Sequence, residues 1–223
     1  MFQDHKIPPM VRERETLEPF VASLWQDAEA AASVCIRFER DQRRVEDIDR
    51  PDSPGLLAFD FEKSHSITQY CFIAERRNRV VLTYGVAIFD LGDLDLYDYL
   101  SLVGFHSRAN EFRFIEGSNA EFLARGVRGR IGFMGNVWTP NDMRGGRAEI
   151  RGLIRDLGAI ARAINLGALA VDQSIWFVRD KHVKAGLAPL AESRAPGVLY
   201  KEKEAIWLGY AGPNLVRQLA RAA

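Results

Sequence analysis

Between Arg128 and Ala168 the sequence changes its period once, and that change limits what the chain can fold into. Arg130 to Thr139 is an apolar run with strand character, closed by Pro140. A polar turn with the pair Gly145-Gly146 follows. From about Arg147 apolar residues recur at helical spacing, with Ile150, Leu153, Ile154, Leu157, Ala161 and Ile164 on one stripe. Arg151, Arg155, Asp156 and Arg162 are expected to face elsewhere, and Gly167 to end the helix at the C′ position. The spacing thus predicts strand 130–139, a glycine turn and helix 147–165. The first turn of such a helix has N–H groups without partners and the positive end of the macrodipole, so this arrangement suits a phosphate group.

The flanking sequence predicts a mixed pattern. Residues 1–15 are polar and read as an irregular arm, and residues 16–223 as a single domain. Leu17, Phe20, Val21, Leu24, Trp25 and Ala28 mark one face of a helix, with Thr16 as N-cap and Pro19 in the first turn. Strands are expected at Ser33–Arg40, Leu56–Phe61, Ile67–Glu75, Val80–Asp90 and Glu111–Glu116. The polar Arg76-Arg77-Asn78-Arg79 makes a hairpin of the third and fourth. Asp41–Pro54 reads as a loop, Leu91–Phe105 as either a helical turn or a loop, and Ser118–Ala124 as a short helix. Ala168–Val171 reads as a short buried strand and Ser174–Ala185 as a helix stopped by Gly186. Strands Val198–Lys203 and Ala205–Tyr210 and helix Leu215–Ala222 complete the chain. This order implies an α+β (mixed α/β) fold with one central, mostly antiparallel sheet flanked by helices.

Composition narrows the function. Thirty basic residues balance 30 acidic ones, so no overall field draws the chain to nucleic acid or an anionic membrane. No run of about 18 apolar residues suggests a membrane span, and the N-terminus lacks a secretory leader pattern, so a cytoplasmic protein is expected. Cys35 and Cys71 lie in apolar runs and read as buried, reduced thiols. His5, His65, His106 and His182 are scattered, and no metal is expected.

Gly146 and Ala148 leave backbone N–H groups uncovered, and Arg144 and Arg147 add positive charge, which suits a pyrophosphate. The turn is neither a P-loop nor a dinucleotide fingerprint. On Thr139-Pro140 followed by Met143-x-x-Gly146-x-Ala148, the segment resembles motif A of the GCN5-related N-acetyltransferases. Met143 stands where that family usually has Gln or Arg, and Arg144 beside it is a substitute. His182-Val183-Lys184-Ala185-Gly186-Leu187 is similar to the family's Tyr placed four residues before Gly-Phe, with His182 in the place of the Tyr. The resemblance covers about residues 125–190.

The resemblance implies an acyl-CoA-dependent acyltransferase moving an acyl group from coenzyme A, as acetyl-CoA or another acyl-CoA, to a small-molecule or peptide amine. Val137, Trp138, Thr139, Met143, Arg144, Gly145, Gly146, Arg147 and Ala148 are the coenzyme-binding candidates. His182 is the candidate general acid or sulfur contact, and also reads as an ordinary helix histidine. Glu116, Asp172 and Glu111 are candidate bases, each equally readable as a solvated acid. Trp25, Phe133, Tyr97 and Phe105 read as core, while Trp138 is placed to line an acyl channel. The run Asp90–Asp98 is either a solvated loop or a pocket for a cationic amine. A homodimer is compatible with this reading, and no nucleic-acid or membrane partner is expected. Two other functions fit the same fold: an inactive sensor or binding module, and an acyl-homoserine-lactone synthase, whose acidic and Arg/Trp pattern is missing from residues 20–50.

Overall fold

The computed structural model describes residues 7–41, 45, 48, 64–106, 111–143, 148–184 and 190–222. One eight-stranded sheet runs through it, in the order β1-β2-β3-β5-β6-β8-β7-β4. Its strands are β1 Cys35–Glu39, β2 Thr68–Arg76, β3 Arg79–Asp95, β4 Phe112–Phe114, β5 Arg128–Trp138, β6 Gln173–Arg179, β7 Ser193–Tyr200 and β8 Glu204–Ala211. The helices among the described residues are α1 Arg14–Ala32, α2 Leu96–Leu102, α3 Asn119–Arg125, α4 Ala148–Gly167, α5 Asp180–Lys184 and α6 Pro213–Ala222. The fold is α+β with a mostly antiparallel sheet, as the sequence pattern implied. Among the described residues, the one parallel pair in the sheet is β5 with β6.

Two apolar layers cover the sheet. On one face α1 and α4 pack over Phe72, Tyr84, Val86, Met134 and Trp176. On the other, Phe89, Phe105, Phe112, Phe133 and Ile175 gather with α2 and α3. The sheet curls on this second side, because Phe112 of edge strand β4 reaches Phe177 of β6 with ring centroids 4.2 Å apart and Phe133 of β5 at 5.8 Å. Residues Val81 to Phe89 of β3 are buried without a break, as befits a central strand covered on both faces.

Several boundaries differ from the sequence reading, each for a local reason. Helix α1 begins at Arg14, before Thr16, with Glu13 as its N-cap in the left-handed region and no side-chain cap. Pro19 therefore lies in the second turn. Strand β3 runs on to Asp95, whose carboxylate then caps α2 by accepting from the Asp98 N–H at 2.8 Å, so of the two alternatives for this stretch 96–102 takes the helical one, while 91–95 is strand. Ala168–Val171 is a turn, and its strand lies later, at β6. The expected helix Ser174–Ala185 is β6 followed by the five-residue α5. Successive side chains go to opposite layers, Ile175 and Phe177 to one and Trp176 and Val178 to the other, and with their β-branched and aromatic character this favours the pleat over the helix.

Gly167 remains inside α4 and does not take the left-handed conformation; Ala170 does, at φ 54°. Glycine is needed at 167 for close approach. A Cβ there would meet Met10 Sδ at 2.5 Å and Leu17 Cδ1 at 3.0 Å. Its carbonyl accepts from the Val11 and Arg12 N–H groups at 2.8 and 2.9 Å, tying the N-terminal segment to the core. Arg162, expected on the outer side of α4, is 1 % exposed. Cys71 is buried, but Cys35 is exposed. The expected strand 56–61 lies outside the described residues.

Candidate active site

Strands β5 and β6 pair only through Ile131–Gln173, Gly132–Ser174 and Phe133–Ile175. Beyond that point β5 continues to Trp138 and β6 to Arg179 without pairing, so the sheet opens between them. Both strands point the same way, and the opening lies at their carboxyl ends, where open sheets of this kind take their ligands. Below it the seam is closed by contacts that need small residues. A Cβ on Gly132 would lie 2.2 Å from Asn165 Nδ2. Asn165 in turn accepts from the Tyr70 hydroxyl at 2.8 Å and donates to Ser174 Oγ at 3.3 Å. These bonds fix α4 over the middle of the three paired rungs.

A bulge shapes the β5 side of the opening. Gly85 lies opposite Gly135 and Thr83 opposite Trp138, so Asn136 and Val137 together face Tyr84 alone. Asn136 has φ 49°, and Val137 turns out to solvent. Trp138 is buried and Thr139 is partly exposed. The chain then makes a short 3₁₀ turn, Asn141–Met143, held to the β2–β3 hairpin by a bidentate pair between Arg79 and Asp142, both bonds 2.9 Å. Met143 is in the core, which explains an apolar residue where Gln or Arg was anticipated. Arg144, Gly145, Gly146 and Arg147 lie outside the described residues. Ala148 opens α4 and is exposed.

The β6 side carries His182 on α5. Asp180 fixes that short helix, accepting from the Trp207 indole N–H of β8 at 3.2 Å and pairing with Lys184 at 2.6 Å. His182 is partly buried. Burial, then the charges of Lys181 and Arg179, push its pKa below the ordinary histidine range, so the imidazole is neutral at neutral pH. The topology thus brings Val137, Trp138, Thr139, Met143, Ala148 and His182 to one end of the sheet.

The carboxylates divide differently. Asp172 precedes β6 at its amino end, exposed and paired with Arg12 at 2.8 Å. The length of β6 puts it roughly 20 Å from the open end. Glu116 follows edge strand β4 in an exposed turn leading to α3. Neither is brought to the opening. Glu111 is buried, accepting from the Tyr200 hydroxyl at 3.4 Å and pairing with Lys201 at 3.2 Å. It is next to Phe112, whose ring stacks on Phe177 just past the last paired rung. The acidic run is occupied with structure: Asp90 pairs with Arg130 at 3.3 Å, and Asp95 with Arg128 at 3.4 Å. Sequence reading did not single out Tyr84, Trp176, Phe177 or Asp180, because each sits in an ordinary apolar or polar run. Among the described residues no three His, Cys, Asp or Glu side chains gather as a metal site, and no helix is long and apolar enough to cross a membrane.

No family model matches the chain, and no curated protein matches it in sequence. Solved structures are similar to it in fold at low scores. Arabidopsis thaliana NAA60 in complex with acetyl-CoA is 13% identical, with a TM-score of 0.45 over 80% of this chain and 99% of its own. The spermidine/spermine N-acetyltransferase SpeG from Vibrio cholerae, in mutant form, is 11% identical, with a TM-score of 0.44 over 85% and 98%. FeeM, an N-acyl amino acid synthase from uncultured soil microbes, is 8% identical, with a TM-score of 0.38 over 96% and 93%.

Proposed function

We propose that this chain is an acyl-CoA-dependent acyltransferase that moves an acyl group to an amine, an N-acetyltransferase in kind. The observation that carries the reading is the parting of parallel β5 and β6 after three rungs, with β5 followed in the chain by the 3₁₀ turn Asn141–Met143 and then, after residues 144–147, by α4. A cleft of that shape takes an extended chain between two strands. The helix N-terminus beside it takes a pyrophosphate, through the amides of 144–148 and the charges of Arg144 and Arg147. The motif resemblance of residues 125–190 agrees with it.

In this reading the backbone near Val137, turned outward by the bulge, polarises the thioester carbonyl. An acceptor ammonium loses one proton to Glu111, and its nitrogen attacks the carbonyl carbon. The C–N bond forms, the C–S bond breaks, and the second nitrogen proton passes through His182 to the departing thiolate. A neutral imidazole suits that shuttle, since it must accept before it donates. Glu116 and Asp172, far from the cleft, have no part in it.

Calorimetry with acetyl-CoA and longer acyl-CoAs tests the reading. Binding is expected for at least one thioester, and Gly146→Glu, which puts a side chain and a negative charge into the turn, is expected to weaken it by a hundredfold or more. No binding by any thioester, or unchanged binding by the variant, refutes it. Binding without turnover over a broad panel of amines would instead make the chain a coenzyme-binding module.

A further inference from the structure

The β7–β8 hairpin turns at the open end of the cleft. Ile206 of β8 lies opposite Arg179, the last residue of β6, so the turn at 201–203 stands past the carboxyl end of that strand. Glu204, which pairs with Tyr200 across the turn, forms an ion pair with Arg179 at 3.1 Å, and its charge is felt by His182. On the face away from α4, Phe112 lies against both Phe177 and Tyr200, with ring centroids 4.2 and 5.5 Å away, and carries its neighbour Glu111 to the same end. Lys201 meets Glu111 twice. Its backbone N–H donates to the Glu111 carbonyl at 2.8 Å, and its ammonium lies 3.2 Å from the Glu111 carboxylate. The ammonium is also 5.1 Å from the centre of the Tyr200 ring. Glu111 is buried and Lys201 is half exposed. A buried carboxylate beside an aromatic face is a site for an ammonium ion, and here the chain fills it with its own.

We infer that Lys201 is an acyl acceptor within the chain itself, modified on Nζ by the thioester held in the cleft. The inference rests on the acyl-CoA reading, with Glu111 as its base. A placement that lets Glu111 take a proton from an acceptor nitrogen gives Lys201 the same access, because its nitrogen already holds that position. Hydrogen bonding to Tyr200, and then to Glu111, raises the Lys201 pKa, so at rest it is an ammonium and cannot attack. Glu111 takes one proton, and Nζ attacks the carbonyl carbon. The C–N bond forms, the C–S bond breaks, and the second proton passes through His182 to the thiolate. The product is an uncharged amide, so the ion pair with Glu111 is lost.

The test incubates the full chain with acetyl-CoA, and in parallel with octanoyl-CoA, and follows it by intact mass and peptide mapping. With at least one of them, a single acyl group is expected on Lys201, forming about tenfold or more faster than on Lys203, which is exposed in the same turn. Excess desulfo-coenzyme A, a carrier with no sulfur to acylate, is expected to slow Lys201 and leave Lys203 unchanged. Glu111→Gln separates this transfer from simple chemical acylation. Without the carboxylate the Lys201 amine gives up its proton more easily, so chemical acylation would quicken, whereas transfer through Glu111 is expected to fall to the Lys203 rate. Calorimetry on the same preparation tells the two readings apart. If a thioester binds but Lys201 reacts no faster than Lys203, or reacts faster in Glu111→Gln, the inference is overturned and the carrier reading stands. Failure of both thioesters to bind overturns the carrier reading and the inference with it.

Discussion

Arg162 shows how far a single side chain can depart from its expected place. Helical phase put it outside the apolar stripe, yet its guanidinium is buried between α4 and the sheet. It donates to the Leu190 carbonyl at 3.0 Å and lies 5.7 Å from the centre of the Trp176 ring. Its Nε has no acceptor, and no carboxylate among the described residues pairs with it. Desolvation lowers its pKa, opposed by the nearby Tyr84, whose own phenol is pushed up to about 12 by burial. A buried charge with one carbonyl and one ring as partners contributes packing more than electrostatics. Arg162→Met, which keeps the length and the apolar contacts, is expected to change unfolding free energy by no more than about 1 kcal/mol in either direction. Arg162→Ala is expected to cost about 2–4 kcal/mol through the cavity it leaves. Urea denaturation of the two variants separates the effects, and equal losses would mean that the charge itself holds the fold.

At the level of elements, the short helix α5 determines what His182 can do. Trp207 and Lys184 hold it through Asp180, and partial burial beside two cations keeps the imidazole neutral. With a folded pKa lowered beneath the ordinary value of about 6.5, His182 loses its ability to accept a proton only when the pH falls through that lowered value. Turnover is therefore expected to stay level through neutral pH and drop on the acid side, below about 6.5. His182→Asn is expected to remove that limb and lower kcat about tenfold to a hundredfold with KM little changed. An acid limb that persists in the variant would assign it to another group. Elements of this kind were unevenly legible. The β2–β3 hairpin and α4 declare themselves, because Arg77-Asn78 and a clean 3.6-residue stripe are local signals. Strand β6 does not, since its apolar run fits helix or strand equally and only pairing with β5 and β8 decides it. Glu111 was one of three equal carboxylates in the sequence. What distinguishes it is burial against Tyr200 and Lys201, which arise some 90 residues later. Asp172 looked close to the site because Ala168–Val171 was read as the strand, which put Asp172 at its carboxyl end, whereas the strand begins at Gln173 and Asp172 lies at its amino end.

Across the whole molecule, the sheet is two half-sheets, β1-β2-β3-β5 and β6-β8-β7-β4, joined by three parallel rungs. Other clasps cross that join: α4 itself, the Phe112 ring on Phe133, and the terminal helices, where Arg217 of α6 pairs with Glu13 at 2.7 Å. None of them supplies backbone hydrogen bonds along the open part of the seam. Amide exchange at Met134–Trp138 and Trp176–Arg179 is expected to be faster than at the fully paired Val81–Phe89, and to slow on binding coenzyme A. Equal protection in the free and bound chain would mean that the strands do not hold the ligand. The three rungs have a mechanical consequence as well. Force applied across the sheet reaches the end of a zipper, so the halves should begin to peel at the mouth of the cleft. A molecule lodged between β5 and β6 would work as the missing teeth of that zipper, making the loaded protein the stiffer one.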